Sequence, residues 1–151
     1  MTIYRNSLML LLVALLFTSE SLIAQNTDRV KIDKAVEKYI IGWRTGNKDI
    51  LREAFELEAG VVLWVDKKGS SETLRSMTLA DLINTVKPHE DYGLGYEIQH
   101  LDVVDSQLAM AKVRIPLPKQ DSYYIDYLQL QKLNDTWKII LKSFVYFRKQ
   151  R

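Results

Sequence analysis

YYIDYLQLQKLNDTWKIILKSFVYF, Tyr123 to Phe147, reads as two long strands joined by a tight turn at Asn134-Asp135. A two-residue hairpin loop sets the register of the strands it joins. Leu133 then faces Thr136, Leu130 faces Ile139, Leu128 faces Leu141 and Asp126 faces Ser143. In that register Trp137, Ile139, Leu141, Leu128, Leu130, Val145 and Tyr124 share one face. Gln129, Gln131, Lys138, Lys142 and Tyr127 share the other. The apolar face carries one acid, Asp126. A carboxylate among apolar side chains must find hydrogen bonds, take up a proton or line a cavity.

Upstream of the hairpin, Asp28 to Trp43 has helical period. Ile32, Val36, Tyr39, Ile40 and Trp43 form one stripe, opposite Lys31, Lys34, Glu37 and Lys38. Thr27 or Asp28 can cap its start, and Gly46 supplies a left-handed stop. Asn47 caps a second helix, Lys48 to Phe55, that buries Leu51, Ala54 and Phe55. Val61 to Val65 is an apolar strand, and Glu72 to Leu74 pairs back to it across the Lys67-Lys68-Gly69 turn. Thr78-Leu79-Ala80-Asp81 opens a third helix on Leu79, Leu82, Ile83 and Val86, and Pro88 ends it. His89 to Gly95 is a loop. Tyr96 to Val104 and Leu108 to Leu117 are strands joined at Asp105-Ser106, and Pro118 closes the second. Helices first and a long antiparallel meander last make an α+β fold. A strongly curved sheet wrapped around the first helix forms a half-open cone, with Tyr39 and Trp43 facing the sheet.

The N-terminus reads as a processing segment. Arg5 gives a positive start, Leu8 to Phe17 is an unbroken apolar run, and small and polar residues lead to Ala24-Gln25. That run is shorter than the ~20 residues a bilayer-spanning helix needs and suits a secretory signal. Residues 1–24 are read as the signal and 25–151 as one domain, with cleavage after Ala24 or, alternatively, near Ser19 or Ser21. A retained N-terminal anchor is the competing reading. The localisation expected is secreted or periplasmic, in a bacterial envelope. The chain has no cysteine, which excludes a lipid-anchored lipoprotein, disulfides and thiol chemistry. The leader carries one base and one acid, so the net charge of +2 survives its removal. With Lys and Arg scattered, that balance predicts no nucleic-acid partner, and no membrane contact after cleavage.

The stretches YIIGWRTGNKDILREAF (Tyr39 to Phe55), MTLADLINTVK (Met77 to Lys87) and YYIDYLQLQKLNDTWKIILKSF (Tyr123 to Phe144) resemble the putative lumazine-binding family. That family belongs to the nuclear transport factor 2-like (NTF2-like, SnoaL and ketosteroid isomerase-like) superfamily. The resemblance runs from about Val30 to Phe147. It implies a cone-shaped α+β barrel of NTF2-like or cystatin-like type, with an internal pocket and a homodimer through the outer sheet face. It does not by itself imply a reaction.

Asp126, with Ser143 beside it, is the first candidate for the pocket. Desolvation there raises a carboxyl pKa, which suits acid–base work; the alternative is an acid that only fixes the register. Tyr39 and Trp43, one turn apart, can stack on a flat ligand or serve as ordinary core. Trp64, alternating with Val62, can be a pocket wall or ordinary core packing, and Tyr124 is a further candidate for the wall. His100, read on the side of Ile98 and Val104, can pair with Asp126 or be a strand histidine with a single hydrogen-bond partner. In ketosteroid isomerase-like relatives a pocket His or Asp moves the proton. His89-Glu90-Asp91 lacks metal-ligand spacing, so no metal is expected. Nor is a cofactor: no phosphate loop, dinucleotide fingerprint or nucleophile elbow occurs. The outer hairpin face, Tyr123, Ile125, Tyr127, Ile140, Phe144 and Tyr146, is too apolar for a free surface.

Three functions remain open on these residues. The first is an exported domain binding a small apolar or aromatic ligand through Tyr39, Trp43, Trp64, His100, Tyr124 and Asp126. The second is an isomerase, cyclase or dehydratase with Asp126 or His100 as base and Tyr39 as donor. The third is a dimeric interaction module with a filled cone.

Overall fold

The computed structural model describes residues 26–91, 93, 95–117 and 121–148. The expected leader (residues 1–24) and the strand end at Pro118 lie outside them. The first helix, α1, covers residues 26–45. Helix α2 (Lys48–Ala54), strands β1 (Val61–Lys68) and β2 (Ser71–Thr78), and helix α3 (Leu79–Thr85) follow. The chain then runs through β3 (Glu97–Val104), β4 (Leu108–Leu117), β5 (Ser122–Leu133) and β6 (Thr136–Arg148). The six strands form one curved, unclosed sheet in the order β2-β1-β6-β5-β4-β3, a cone-shaped α+β fold.

The helix stripe behaves as its period requires. Ile32, Val36, Tyr39 and Ile40 are buried, and Trp43 is half-buried. Asn47 caps α2 by accepting from the amides of Asp49 and Ile50. Thr78 caps α3 by accepting from Asp81. Gly46 ends α1 at φ +64, and a Cβ there would lie 2.2 Å from the Lys87 carbonyl oxygen. Only glycine meets both demands. The core joins the α1 stripe to Leu51, Ala54 and Phe55, to Leu79 and Ile83, and to the concave-face residues Ala109, Ala111, Val113, Leu128, Leu130, Trp137 and Ile139.

Four sequence expectations need correction. β1 runs on to Lys68, and β2 is a full strand, Ser71–Thr78, rather than a three-residue one. β1 also lies parallel to β6 through Val61, Val62 and Leu63; no local signal announces a pairing between segments some 80 residues apart. The hairpin register holds only from Leu133↔Thr136 to Leu130↔Ile139. Ile140 is then an extra residue on β6, and the pairs become Gln129↔Leu141, Leu128↔Lys142, Tyr127↔Ser143 and Asp126↔Phe144. A β-bulge reverses the faces of everything beyond it. Lys142 therefore turns inward and is 5% exposed, while Val145 turns outward and is 57% exposed. A second bulge, at Gln99, pairs His100 with Lys112 instead of leaving it on the side of Ile98.

Candidate functional site

The two bulges decide what the cone encloses. β5 brings Asp126 to the concave face, where it is fully buried. The bulge at Ile140 brings Lys142 to the same place, and its Nζ donates to Asp126 Oδ2 at 2.6 Å. Three turns along α1, Tyr39 points its hydroxyl down and donates to the same oxygen, also at 2.6 Å. Asp126 Oδ1 is buried and has no hydrogen-bond partner. The cluster is thus a buried ion pair plus a phenol, with one carboxylate oxygen unused. Ser143, expected beside Asp126, stands opposite Tyr127 instead.

Burial dominates the electrostatics. It pulls the Lys142 ammonium below its ordinary value, and the neighbouring Asp126 carboxylate works against that pull. Burial likewise pushes the Tyr39 phenol well above its ordinary value, and the negative Asp126 adds to the push. Tyr39 is therefore a fixed proton donor. Isolated charges cannot stay in such a setting, so each member needs the other.

Aromatic rings surround the cluster. Tyr39 packs on Phe55 at 5.4 Å between centroids. Lys142 Nζ sits 4.4 Å from the Phe144 ring centroid and 5.4 Å from that of Tyr39, close enough for cation–π attraction. Phe144 stacks on Trp64 at 6.5 Å and meets Tyr124 edge-on at 5.9 Å. Tyr124, Phe144 and Trp64 are each half-buried. They form the aromatic rim between Lys142 and solvent.

The sequence-based site residues divide. Tyr39 and Asp126 come together; Tyr124 and Trp64 stand on the rim; Trp43 lies half-buried on the α1 stripe. His100 does not join them. It is exposed on the outer face, because the Gln99 bulge turned it over. Lys142 was missed, having been assigned to the outer face. Its signal was Ile139-Ile140-Leu141, a run of three apolar residues that breaks the period of two and marks the bulge.

A second buried carboxylate was read only as a helix cap. Asp28, 3% exposed, accepts from Trp137 Nε1 at 3.0 Å and pairs with Lys132 Nζ at 3.0 Å. Burial works to raise this acid, but the hydrogen bonds from Trp137, Lys132 and Ser106 outweigh it and hold the carboxyl below its ordinary value. This contact pins the start of α1 to the C-terminal hairpin.

Three cavities can be described among these residues, and none is lined by Tyr39 or Asp126. Tyr39 and Lys142 side chains occupy the space beside Asp126 Oδ2, with Phe55 packed on the Tyr39 ring. A groove of about 460 Å³ lies along the outer sheet, lined by the outward Leu63, Val65, Leu74, Ile125, Tyr127 and Val145 and also by Trp64 and Phe144 of the rim. The apolar outer face expected from the sequence exists, but with different members. Ile125 opposes Val145 and Tyr123 opposes Phe147, whereas Phe144 belongs to the inner face. Among the described residues no group of His, Cys, Asp and Glu could hold a metal ion. No helix there is long and apolar enough to cross a membrane.

The curved sheet wrapped around α1 makes a cone-shaped α+β fold of the NTF2-like and cystatin-like type. The profile of the family described as putative lumazine-binding matches residues 27–145, and the chain belongs to that family. An NTF2-like protein of unknown function from Shewanella baltica has a similar structure, with TM-score 0.68 at 18% identity over 82% of this chain and 96% of that one. Another, from Methylobacillus flagellatus, gives 0.65 at 19% identity over 80% and 93%. A ketosteroid isomerase-like protein from Erwinia carotovora gives 0.55 at 13% identity over 80% and 96%. At such identities the likeness concerns fold. No curated protein matches the chain.

Proposed function

We propose that this is an exported domain that binds a small apolar or aromatic molecule at the rim of the cone, next to the Tyr39–Asp126–Lys142 cluster. The observation that carries the reading is Asp126 Oδ1, a buried carboxylate oxygen with no partner beside half-buried rings. Such an atom is costly unless something donates to it. A ligand N–H or O–H supplies the donor, while Trp64, Tyr124 and Phe144 supply flat contact area. The family's description, putative lumazine-binding, accords with a flat heteroaromatic ligand carrying N–H groups.

The test is mass spectrometry of small molecules retained by the protein purified from its own host, in parallel with D126N. A compound held by the unaltered protein and lost from a folded D126N is expected. Identical extracts from the two would refute the reading. For export, the expected mature N-terminus is Gln25; recovery of the intact chain from the envelope would count against it.

A second reading, proton transfer beside a carbonyl, is favoured by the 2.6 Å contact between the Tyr39 hydroxyl and Asp126. It assigns Asp126 as base and Tyr39 as donor and gives His100 no part. The outer groove is proposed as the interface with a second copy. Leu63, Val65, Leu74, Ile125, Tyr127 and Val145 of its lining lie on β1, β2, β5 and β6 and face outward, a patch that a two-fold partner can cover.

A further inference from the structure

We infer that Lys142 is a carbonyl-capturing amine: it condenses with an apolar or aromatic aldehyde or ketone to form an iminium, with Asp126 as its proton acceptor and counter-ion. The inference rests on the ligand-binding reading and goes beyond it, because it names a covalent mode and a substrate class.

The cluster brings an amine, a proton acceptor and a fixed donor together behind the Phe144 ring, which also lines the outer groove. Lysine becomes a nucleophile when it loses a proton, and burial beside other groups brings this about. Lys142 is 5% exposed, and its Nζ donates to Asp126 Oδ2 at 2.6 Å. Burial pulls its ammonium below the ordinary value, against the opposing effect of the Asp126 carboxylate. Asp126 can accept that proton directly. Its second oxygen, Oδ1, has no partner and is free to serve a reacting group. Tyr39 donates to Oδ2 and stays protonated. The Phe144 ring, 4.4 Å from Nζ to its centroid, gives an apolar wall for the carbonyl's substituents and suits the cation before and after reaction.

The steps balance. Lys142 passes a proton to Asp126, and the free amine attacks the carbonyl carbon. The Nζ–C bond forms as the C=O π pair moves to oxygen, which takes a proton from Asp126. The carbinolamine nitrogen gives its extra proton back to Asp126, which hands it to the departing hydroxyl. Water leaves as the nitrogen lone pair closes the C=N bond. The net change is ammonium plus carbonyl to iminium plus water, with the carboxylate restored. The product cation keeps its ion pair in the low-dielectric site, so no new charge is stranded.

The experiment uses the unaltered chain, benzaldehyde and cyclohexanone as probes, and cyanoborohydride to reduce any iminium to a stable amine. Peptide mass spectrometry then compares Lys142 with the exposed Lys34 and Lys68. Modification of Lys142 at least about tenfold faster than the exposed pair is expected. Lys142 reacting no faster than Lys34 and Lys68 overturns the inference. Benzyl alcohol and cyclohexanol, which cannot condense, separate the two readings. If they raise the melting temperature while Lys142 stays unmodified, the site binds but captures no carbonyl. If neither effect occurs, both readings fall.

Discussion

Lys142 and Asp126 show how much a single residue's direction decides. A buried ion pair is weak as a source of stability but expensive to break, because the survivor is left charged and alone. K142M or D126L alone is expected to cost about 3–5 kcal/mol. The double variant D126L/K142M removes both charges and should cost clearly less than the sum. Urea denaturation of the four proteins gives the coupling directly. Additive losses would mean that the pair is not the unit described. Asp28 contributes to the acid limb of stability. Its carboxyl is held below its ordinary value in the fold, so its contribution is present above about pH 4 and disappears as pH falls through the folded value. D28N should therefore flatten the fall in melting temperature below pH 4, and an unchanged acid limb would contradict the assignment.

Helices and turns follow local chemistry closely. The α1 stripe, the Asn47 and Thr78 caps and the Asn134-Asp135 turn sit where residue type alone puts them. Both turn residues adopt positive φ, 46 and 65, as a tight hairpin asks. Gly46→Ala meets strain at φ +64 and a clash with the Lys87 carbonyl together. A loss of about 1–3 kcal/mol is expected, read from the urea midpoint; a change under a few tenths would show that the α1 end relaxes freely. Strand faces were less legible. One inserted residue at Ile140 and one at Gln99 reversed the second half of β6 and most of β3. Those reversals moved Lys142 into the site and His100 out of it. Alternation is a strong local signal, but a bulge resets its phase, and the gain that decides where it resets comes from packing against other elements.

For the molecule as a whole, the sheet leaves an apolar outer face. Tyr127, Val145 and Phe147 are 49%, 57% and 41% exposed. A monomer rarely shows that much contiguous apolar surface. The expected state at micromolar concentration is a dimer, and V145E should shift light scattering toward half the mass with the fold intact by circular dichroism. A monomeric unaltered protein would remove this interface. The α+β class and the cone are readable from the sequence, because helical stripes, caps and strand alternation are local and the order of elements leaves few ways to pack them. Asp126 was singled out for the same reason: it interrupts an apolar face that the turn had already placed in register on its own strand. What the chain alone could not yield was the company that acid keeps. The parallel contact of β1 with β6, the seat of Lys142 and the reach of Tyr39 from α1 to β5 all join residues far apart in sequence. Their pairing depends on which packing buries the most apolar surface while leaving each buried charge a partner, and only the folded molecule settles that balance.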